Sequence, residues 1–420
     1  MDNAPSLPHL YHMTFDTDIA IVGGGLTGPI LALALAQVGL KSTIVDVAPP
    51  PSKLAPDFDG RAYSLALATR RMVEVLGLWD TLGGHAQPIL DIIVSDGRPG
   101  EGALPLYLHF DHREIEEGPL GALVEDRYLR AALTGAVGVE DRIIHLTQTR
   151  VTAQRAVPGG VELSLEDGET LRAKVLVGCD GRGSGTAMRA GLRFVGRDYD
   201  QTSLVCAVDH ELPLKGVAHQ MFLPEGPLAI LPLPGSRSSV VWTESRSNAK
   251  AIMGLDDEDY MAVLRPRFGD FLGEIALVGK RYAYPLNLIL AQDFVAKRVA
   301  LVGDAAHGVH PIAGQGLNLG CRDVAALAQV LAEAKRRGED IGSGTVLQRY
   351  ARWRRFDTML LSAMTDGINT LFSNDIPVVR AARDLGLAAV NAAPSLRRFF
   401  MREAAGLTGD LPRLLQGRAI

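Results

Sequence analysis

One stretch, "GDAAHGVHPIAGQGLN" at residues 303–318, holds side chains that could do chemistry. It combines an acid, Asp304, with His307 and His310, among glycines that let a backbone approach a ligand closely. The two histidines are separated by two residues and no acidic cluster accompanies them, so this spacing does not favour a metal site. We expect His307 to order the loop by hydrogen bonding. His310 is a candidate for proton transfer, because histidine titrates near neutral pH.

The residues on either side predict the elements that position this loop. The apolar run "RVALV" before it is typical of a strand, and "LGCRDVAALAQVLAEA" after it is typical of a helix. The first turn of a helix carries backbone N–H groups without partners, which bind anions. The order strand, glycine loop, helix therefore indicates a ligand site.

A second glycine loop, near the start of the chain, lies in "DIAIVGGGLTGPILALALAQVGLKSTIVD". Gly23, Gly25 and Gly28 form a G-x-G-x-x-G between a β-rich run and a helix, and a second apolar run ends in Asp46. In such a βαβ unit the glycines permit the tight turn, admit a pyrophosphate and let the helix pack closely, while the acid binds a ribose. The pattern predicts a dinucleotide site, without deciding between FAD and NAD.

Composition excludes several classes of protein. The net charge of −5 argues against nucleic-acid binding, and three widely spaced cysteines fit a reducing, cytoplasmic setting without disulfides. The first fifteen residues lack the pattern of a secretory signal. The apolar stretch from Ile19 to Val38 contains glycines and Pro29, which favours a strand and a helix over a membrane span.

The rest of the chain changes character twice. "VTAQRAVPGGVELSLEDGETLRAKVLV" predicts an antiparallel meander that ends in "GCDG", and residues 196–290 read as short strands between proline and glycine turns. From residue 346 the pattern is helical. For "PSLRRFFMREAAGL" two interpretations stay open: an ordinary amphipathic packing helix, which is favoured, or a contact with a membrane surface or with a partner protein.

Taken in order, GxGxxG, "GCDG" and "GDAAH…GQGLN" resemble the single-component flavoprotein aromatic hydroxylases, the family of para-hydroxybenzoate hydroxylase. "FLPEGPLAILPL" and "TDGINTLFSND" resemble more narrowly the branch that hydroxylates polyprenylphenols in ubiquinone biosynthesis. The resemblance implies a GR2-type α/β flavoprotein with a Rossmann-like FAD-binding domain, an inserted mainly antiparallel β substrate domain and a C-terminal helical region. The implied boundaries are 17–80, 120–195 and 295–345 for the first, 81–119 and 196–294 for the second, and 346–420 for the third.

The resemblance also implies contacts to FAD. Asp304 would bind the ribityl chain, the N–H groups of Leu317 and Asn318 would face the N1–C2 edge of the flavin, and Pro311 would lie where oxygen adds. The implied FAD-binding set is Gly23, Gly25, Gly28, Asp46, Arg61, Arg127, Asp180, Gly181, Gly303, Asp304, Pro311, Gly314, Gly316, Leu317 and Asn318.

The implied reaction is hydroxylation of a polyprenylphenol by O2 and NAD(P)H through a flavin C4a-hydroperoxide, with His310, Pro311 and Arg61 as candidate catalytic residues. Contact with the membrane or with other proteins of ubiquinone biosynthesis would use the C-terminal region. Three alternatives stay open: a hydroxylase of small soluble aromatic compounds, a flavin-dependent reductase of prenyl chains, and a lipid-binding protein without activity. The family has Val-Arg where this chain has Thr186-Ala187, so that segment does not define how nicotinamide is bound.

Overall fold

The computed structural model describes residues 14–49, 58–100, 102–310, 314–373 and 377–420. The strands in these residues are β1 (Thr17–Val22), β2 (Ser42–Val45), β3 (Ala62–Ala66), β4 (Ala86–Ile89), β5 (Asp91–Arg98), β6 (Gly102–Asp111), β7 (Gly121–Glu125), β8 (Ile143–Leu146), β9 (Val151–Val157), β10 (Gly160–Leu165), β11 (Thr170–Gly178), β12 (Phe194–His210), β13 (Val217–Leu223), β14 (Gly226–Leu233), β15 (Arg237–Ser245), β16 (Ile275–Ala291), β17 (Val295–Ala296), β18 (Val299–Leu301) and β19 (His307–Gly308).

The α-helices of the same residues are α1 (Thr27–Gln37), α2 (Leu67–Val75), α3 (Trp79–Leu82), α4 (Asp126–Gly138), α5 (Gly185–Arg189), α6 (Arg246–Met253), α7 (Asp257–Phe268), α8 (Gln315–Arg336), α9 (Gly344–Phe372), α10 (Pro377–Ala392) and α11 (Pro394–Ala404). Helix α1 is apolar on all sides and buried from Gly28 to Ala36, as expected for a helix inside an α/β core. Its Pro29 lies in the first turn, where the missing N–H costs little.

The first sheet has a parallel core in the order β18-β11-β1-β2-β8, and β9 and β10 extend β11 as the predicted antiparallel meander. In register, Val22 pairs with both Val45 and Gly178, and Gly178 pairs with Leu301. The chain therefore leaves β1, β2, β11 and β18 at one edge of the sheet. A ligand site is expected at this edge, where the strand order reverses beside β1.

The second sheet runs β19-β16-β12-β15-β14-β13-β5-β6 and is antiparallel except between β13 and β5. The proline-rich segment "FLPEGPLAILPLPG" supplies the end of β13 and all of β14, which agrees with the strands expected there. A smaller sheet, β3-β7-β4, has no counterpart among the sequence-based expectations. It matters because Arg61 directly precedes β3 and Arg127 follows β7 by two residues, at the start of α4.

Two large clusters of buried side chains form the core. One packs α1 and α8 against the first sheet, and the other packs α6 and α7 against the second sheet around the fully buried Trp242 and Tyr260. The predicted fold class is confirmed, including the helical C-terminal region. The exact domain boundaries stay a prediction. Within the described ranges, no helix combines the length and the apolar character needed to cross a membrane.

Candidate FAD site

The first glycine loop has the shape that a dinucleotide requires. A Cβ atom on Gly23, whose φ is +110°, would lie 2.3 Å from the Cys179 carbonyl oxygen, and one on Gly28 would lie 2.0 Å from the Gly23 carbonyl oxygen. Only glycine fits these two positions without movement of the backbone. At Gly25, by contrast, a Cβ atom would meet nothing within 4 Å. The turn is thus tight at its first and third glycines and open at its second, where a pyrophosphate would approach.

The N-terminus of α1 completes this cradle. No side chain caps it, and its first turn contains no acidic residue. Its first N–H groups and the positive end of the helix dipole therefore face the open space beside Gly25, an arrangement that suits phosphate oxygens. The loop thus leaves no room for a Cβ at Gly23 and Gly28 but leaves room at Gly25, and this fits a bound dinucleotide.

Asp46 follows directly after β2, at the same edge as Gly23. One carboxylate oxygen accepts a hydrogen bond from the Ala48 N–H at 3.2 Å. His145, in the neighbouring strand β8, lies close to Asp46 and Gly24. Its Nε2 atom is buried and has no hydrogen-bond partner within the described ranges. Burial lowers the pKa of His145, against the raising effect of the Asp46 charge.

Asp180 is occupied by its own turn. Its carboxylate accepts hydrogen bonds from the Ser184 hydroxyl at 2.5 Å and from the Thr186 N–H and hydroxyl at 2.9 Å each. The next residue, Gly181, has a φ of +74°. Thr186, which departs from the family pattern, thus helps to hold this turn, while Ala187 is fully buried. These contacts place the Asp180 carboxylate in the turn itself, and its role toward FAD or nicotinamide stays a prediction.

The late glycine loop begins at the same sheet edge. Gly303 has a φ of +66° and packs against Thr27 at the start of α1, since an added Cβ would lie 3.2 Å from the Thr27 hydroxyl. Asp304 is 46% exposed and forms an ion pair with Arg182 at 3.6 Å. The loop thereby brings Asp304 to the edge that also carries Gly23, Asp46 and Asp180. Pro311 lies outside the described residues.

Helix α8 begins where the sequence places the end of this loop. Gly314 is its N-cap with a φ of +64°, no side chain of the described residues caps it, and an added Cβ on Gly316 would meet no described atom within 4 Å. The N–H groups of Leu317 and Asn318 lie in the first turn. An uncapped helix start of this kind stabilises negative charge, such as that of a reduced flavin ring.

The Asn318 side chain holds α8 against β3. Its carbonyl oxygen accepts a hydrogen bond from the Ala66 N–H at 2.9 Å, and its amide donates to the Ser64 and Gly314 carbonyl oxygens at 2.9 and 3.1 Å. Its side chain therefore positions the loop, whereas its predicted contact with FAD would have to use the backbone.

Arg61 directly precedes β3, and Arg127 is the second residue of α4, two residues after β7, the strand that pairs with β3. Arg61 forms ion pairs with Asp59 at 2.6 Å and with Asp126 at 3.2 Å. Burial lowers the pKa of Arg61, but the hydrogen bond to Asp59 and the Asp126 charge raise it overall. Arg127 donates to Glu125 at 2.7 Å. Asn318 connects this pair of strands to the start of α8, so both arginines belong to the same part of the molecule as the late loop.

His310 sits apart from these contacts, in a fully buried position. Its ring packs edge-on against the Tyr199 ring, with 5.4 Å between the ring centroids. The Tyr199 hydroxyl donates a hydrogen bond to Asp366 at 2.9 Å. Across the part of the chain that is described, neither ring nitrogen of His310 has a hydrogen-bond partner. Burial lowers the pKa of His310 to about 4, against the effect of the Asp366 charge. The ring is therefore uncharged at neutral pH and can accept a hydrogen bond at one of its nitrogens.

This pKa predicts how stability depends on pH. Between the ordinary histidine pKa of 6.5 and the folded value of about 4, the unfolded chain binds more protons at His310 than the folded chain. Stability is therefore complete above this window and falls as pH falls through it, by up to about 3 kcal/mol from this group. We expect His310→Gln to lose this component, so its melting temperature falls less with acidification than that of the wild type. If the melting temperatures of the two proteins fall equally with pH, the lowered pKa of His310 does not contribute to stability.

Two glycine loops and two helix starts, neither capped by a side chain of the described residues, meet at one sheet edge, which is the geometry of a dinucleotide-binding protein. The chain belongs to the FAD binding domain family, whose model matches residues 16–356. It is 46% identical to the ubiquinone hydroxylase UbiL of Rhodospirillum rubrum, covering 95% of this chain and 92% of that protein. It is 33% identical to the 3-demethoxyubiquinol 3-hydroxylase of Escherichia coli, covering 93% and 99%. The crystal structure of a p-nitrophenol 4-monooxygenase from Pseudomonas putida has the same fold, with a TM-score of 0.78, 21% identity and coverage of 94% and 99%.

These findings confirm an FAD-dependent monooxygenase. Sequence reasoning missed His145, Arg182 and Ser64, which contact or hold the predicted residues. His145 had one usable signal, its place near the end of an apolar run, "RIIHL", that becomes a strand of the parallel sheet. Arg182 and Ser64 gave no signal, because their partners are distant in sequence.

Proposed function

We propose that this protein hydroxylates the aromatic ring of a polyprenylated phenol in ubiquinone biosynthesis, with FAD as cofactor, O2 as oxidant and NAD(P)H as reductant. The observation that carries the proposal is the complete cofactor cradle, open at Gly25 and Gly316 and tight at Gly23 and Gly28. A protein of this fold that did not bind a cofactor would not require open space at these positions. Relatives that match over nearly their whole length are named ubiquinone hydroxylases, which supports the substrate class.

The protein's own residues have separate tasks in this reaction. FAD, when bound and reduced, would supply the activation of O2 that ring hydroxylation requires. Gly25 and the start of α1 would bind its pyrophosphate, and the start of α8 would stabilise negative charge on its flavin ring. His310, whose ring is fully buried and has no hydrogen-bond partner among the described residues, would be the candidate to accept a hydrogen bond from the substrate hydroxyl.

The C-terminal helices support access to a membrane-borne substrate. Phe356, Met359 and Leu360 on α9 and Phe399 on α11 are 71%, 60%, 46% and 52% exposed. Phe356, Leu360 and Phe399 line one groove of about 220 Å³. Apolar side chains of this size on helices that also expose arginines are typical of a surface that rests on lipid headgroups. We propose peripheral contact with the membrane through this region, rather than only the ordinary packing that the sequence favours.

The proposal is tested by a substrate series with the purified protein. NAD(P)H oxidation and oxygen insertion are measured with a prenylated phenol carried in anionic vesicles and with the same phenol lacking its prenyl chain. We expect coupled hydroxylation only of the prenylated compound, and sedimentation of the protein with the vesicles. Equal or better turnover of the compound without the chain would favour the hydroxylase of small aromatic compounds. NAD(P)H oxidation without oxygen insertion would favour the prenyl-chain reductase.

A further inference from the structure

Asp323 is a fully buried carboxylate in the third turn of α8. One of its oxygens accepts hydrogen bonds from the Gly303 N–H at 2.9 Å and from His307 Nε2 at 2.5 Å. The other accepts from Arg354 Nε at 2.7 Å. Because an ionised carboxylate can only accept, His307 Nε2 must carry the proton in this contact. Burial raises the pKa of Asp323, but the charges and hydrogen bonds of His307 and Arg354 lower it overall.

Through these contacts, Asp323 connects the two segments of the late loop. Gly303 and His307 belong to its first part, which carries Asp304, whereas Asp323 belongs to the helix whose start forms its second part. Arg354 anchors the carboxylate to α9, which also reaches the first sheet through the Tyr350 hydroxyl and the Leu301 carbonyl oxygen at 2.7 Å. Movement of the carboxylate would therefore change the distance between Asp304 and the start of α8.

The close packing around Gly303 makes this distance sensitive. An added Cβ on Gly320, one turn before Asp323, would lie 3.3 Å from the Gly303 Cα atom. The turn and the helix thus pack on each other through glycines, beside the Thr27 side chain, which an added Cβ on either glycine would also contact. The only polar contact from the helix to the Gly303 N–H, among the described residues, is the Asp323 carboxylate.

We propose that Asp323 is a positioning residue for FAD, which fixes the Gly303–Asp304 turn against the start of α8 so that both can contact the cofactor together. Asp323 does not touch the cofactor itself. Its effect passes through the Gly303 amide and through His307. The inference depends on FAD binding and is independent of the substrate class proposed above.

The substitution Asp323→Asn tests this role. Asparagine has nearly the same shape as aspartate, but its NH2 group would replace one of the two carboxylate oxygens. Donors face both oxygens, so at least one of the three contacts would be lost. FAD is removed from the purified protein and titrated back, well below the melting temperature of each variant. We expect the Kd for FAD to rise at least about tenfold, which corresponds to about 1.4 kcal/mol.

Asp96→Asn is the matched control. Asp96 is also buried and pairs with buried Arg383 at 2.7 Å, but it lies in β5 of the second sheet. We expect it to lower the melting temperature and to leave the Kd for FAD within about twofold of the wild type, which is about 0.4 kcal/mol. If Asp323→Asn also changes only the melting temperature, Asp323 has a purely structural role and the proposal is wrong.

A second pair of variants applies if Asp323→Asn does not fold. His307→Leu removes one donor to the carboxylate, whereas His307→Gln keeps an N–H that can reach it. We expect weaker FAD binding in the leucine variant and recovery toward the wild-type Kd in the glutamine variant. Unchanged FAD binding in the leucine variant would overturn the proposal.

Discussion

Substitution of Gly25 by valine is expected to abolish FAD binding while the cofactor-free protein still folds. A Cβ at this position meets no described protein atom within 4 Å, so the first carbon of the new side chain causes no clash in the folded chain. It does fill the space in front of the α1 N-terminus that the pyrophosphate needs. We expect the Kd for FAD to rise about 100-fold or more, which corresponds to about 2.7 kcal/mol. FAD titration and thermal unfolding of the cofactor-free protein measure the two effects separately.

Gly28→Ala is the contrasting variant. Its Cβ would lie 2.0 Å from the Gly23 carbonyl oxygen, so α1 must move away from β1. The alanine variant should therefore lower the melting temperature of the cofactor-free protein, which the Gly25 variant should not. If the two variants behave alike, or if Gly25→Val keeps FAD within threefold of the wild-type affinity, the space at Gly25 is not the pyrophosphate site.

Substitution of Asn318 by leucine is expected to have the second large effect. It would leave the buried Ala66 N–H without its acceptor and the Ser64 and Gly314 carbonyl oxygens without their donor. Each buried polar group left unpaired costs about 1–3 kcal/mol, so the start of α8 should separate from β3. We expect a large fall in melting temperature and little bound FAD in the purified protein.

Asn318→Asp separates the two halves of this contact. Aspartate can still accept from the Ala66 N–H but cannot donate to the Ser64 carbonyl oxygen. Its melting temperature and FAD content should lie between those of the wild type and the leucine variant. If the aspartate variant has the same melting temperature and FAD content as the leucine variant, the whole effect comes from the donated hydrogen bonds. If the leucine variant behaves like the wild type, Asn318 does not position the start of α8.

The sequence alone predicts on which elements the first glycine loop lies, because the determinants of that unit are local. Gly23, Gly25, Gly28 and Asp46 belong to one βαβ unit, and the spacing of that unit reflects the geometry of a single turn. The strand, loop and helix order around Gly314 is local in the same sense. Both loops could therefore be placed on their elements before their contacts were known.

Contacts between distant segments could not be predicted in this way. Asn318 reaches back to Ser64 and Ala66, and Asp323 joins Gly303 to Arg354. These pairings depend on which helix packs over which strand, and no local periodicity records that. For the same reason the small sheet of β3, β4 and β7 was not expected, although both predicted arginines lie beside its strands.

Hydroxylation of a polyprenylphenol by this protein can be tested by deletion of its gene in the source organism. The quinone lipids of the deletion strain are then analysed by mass spectrometry. The deletion strain is complemented with the wild-type gene and with the Gly25→Val variant. We expect loss of ubiquinone and accumulation of a polyprenylphenol that lacks one ring hydroxyl, with recovery by the wild-type gene alone. Unchanged ubiquinone in a strain without a second hydroxylase of this kind would contradict it.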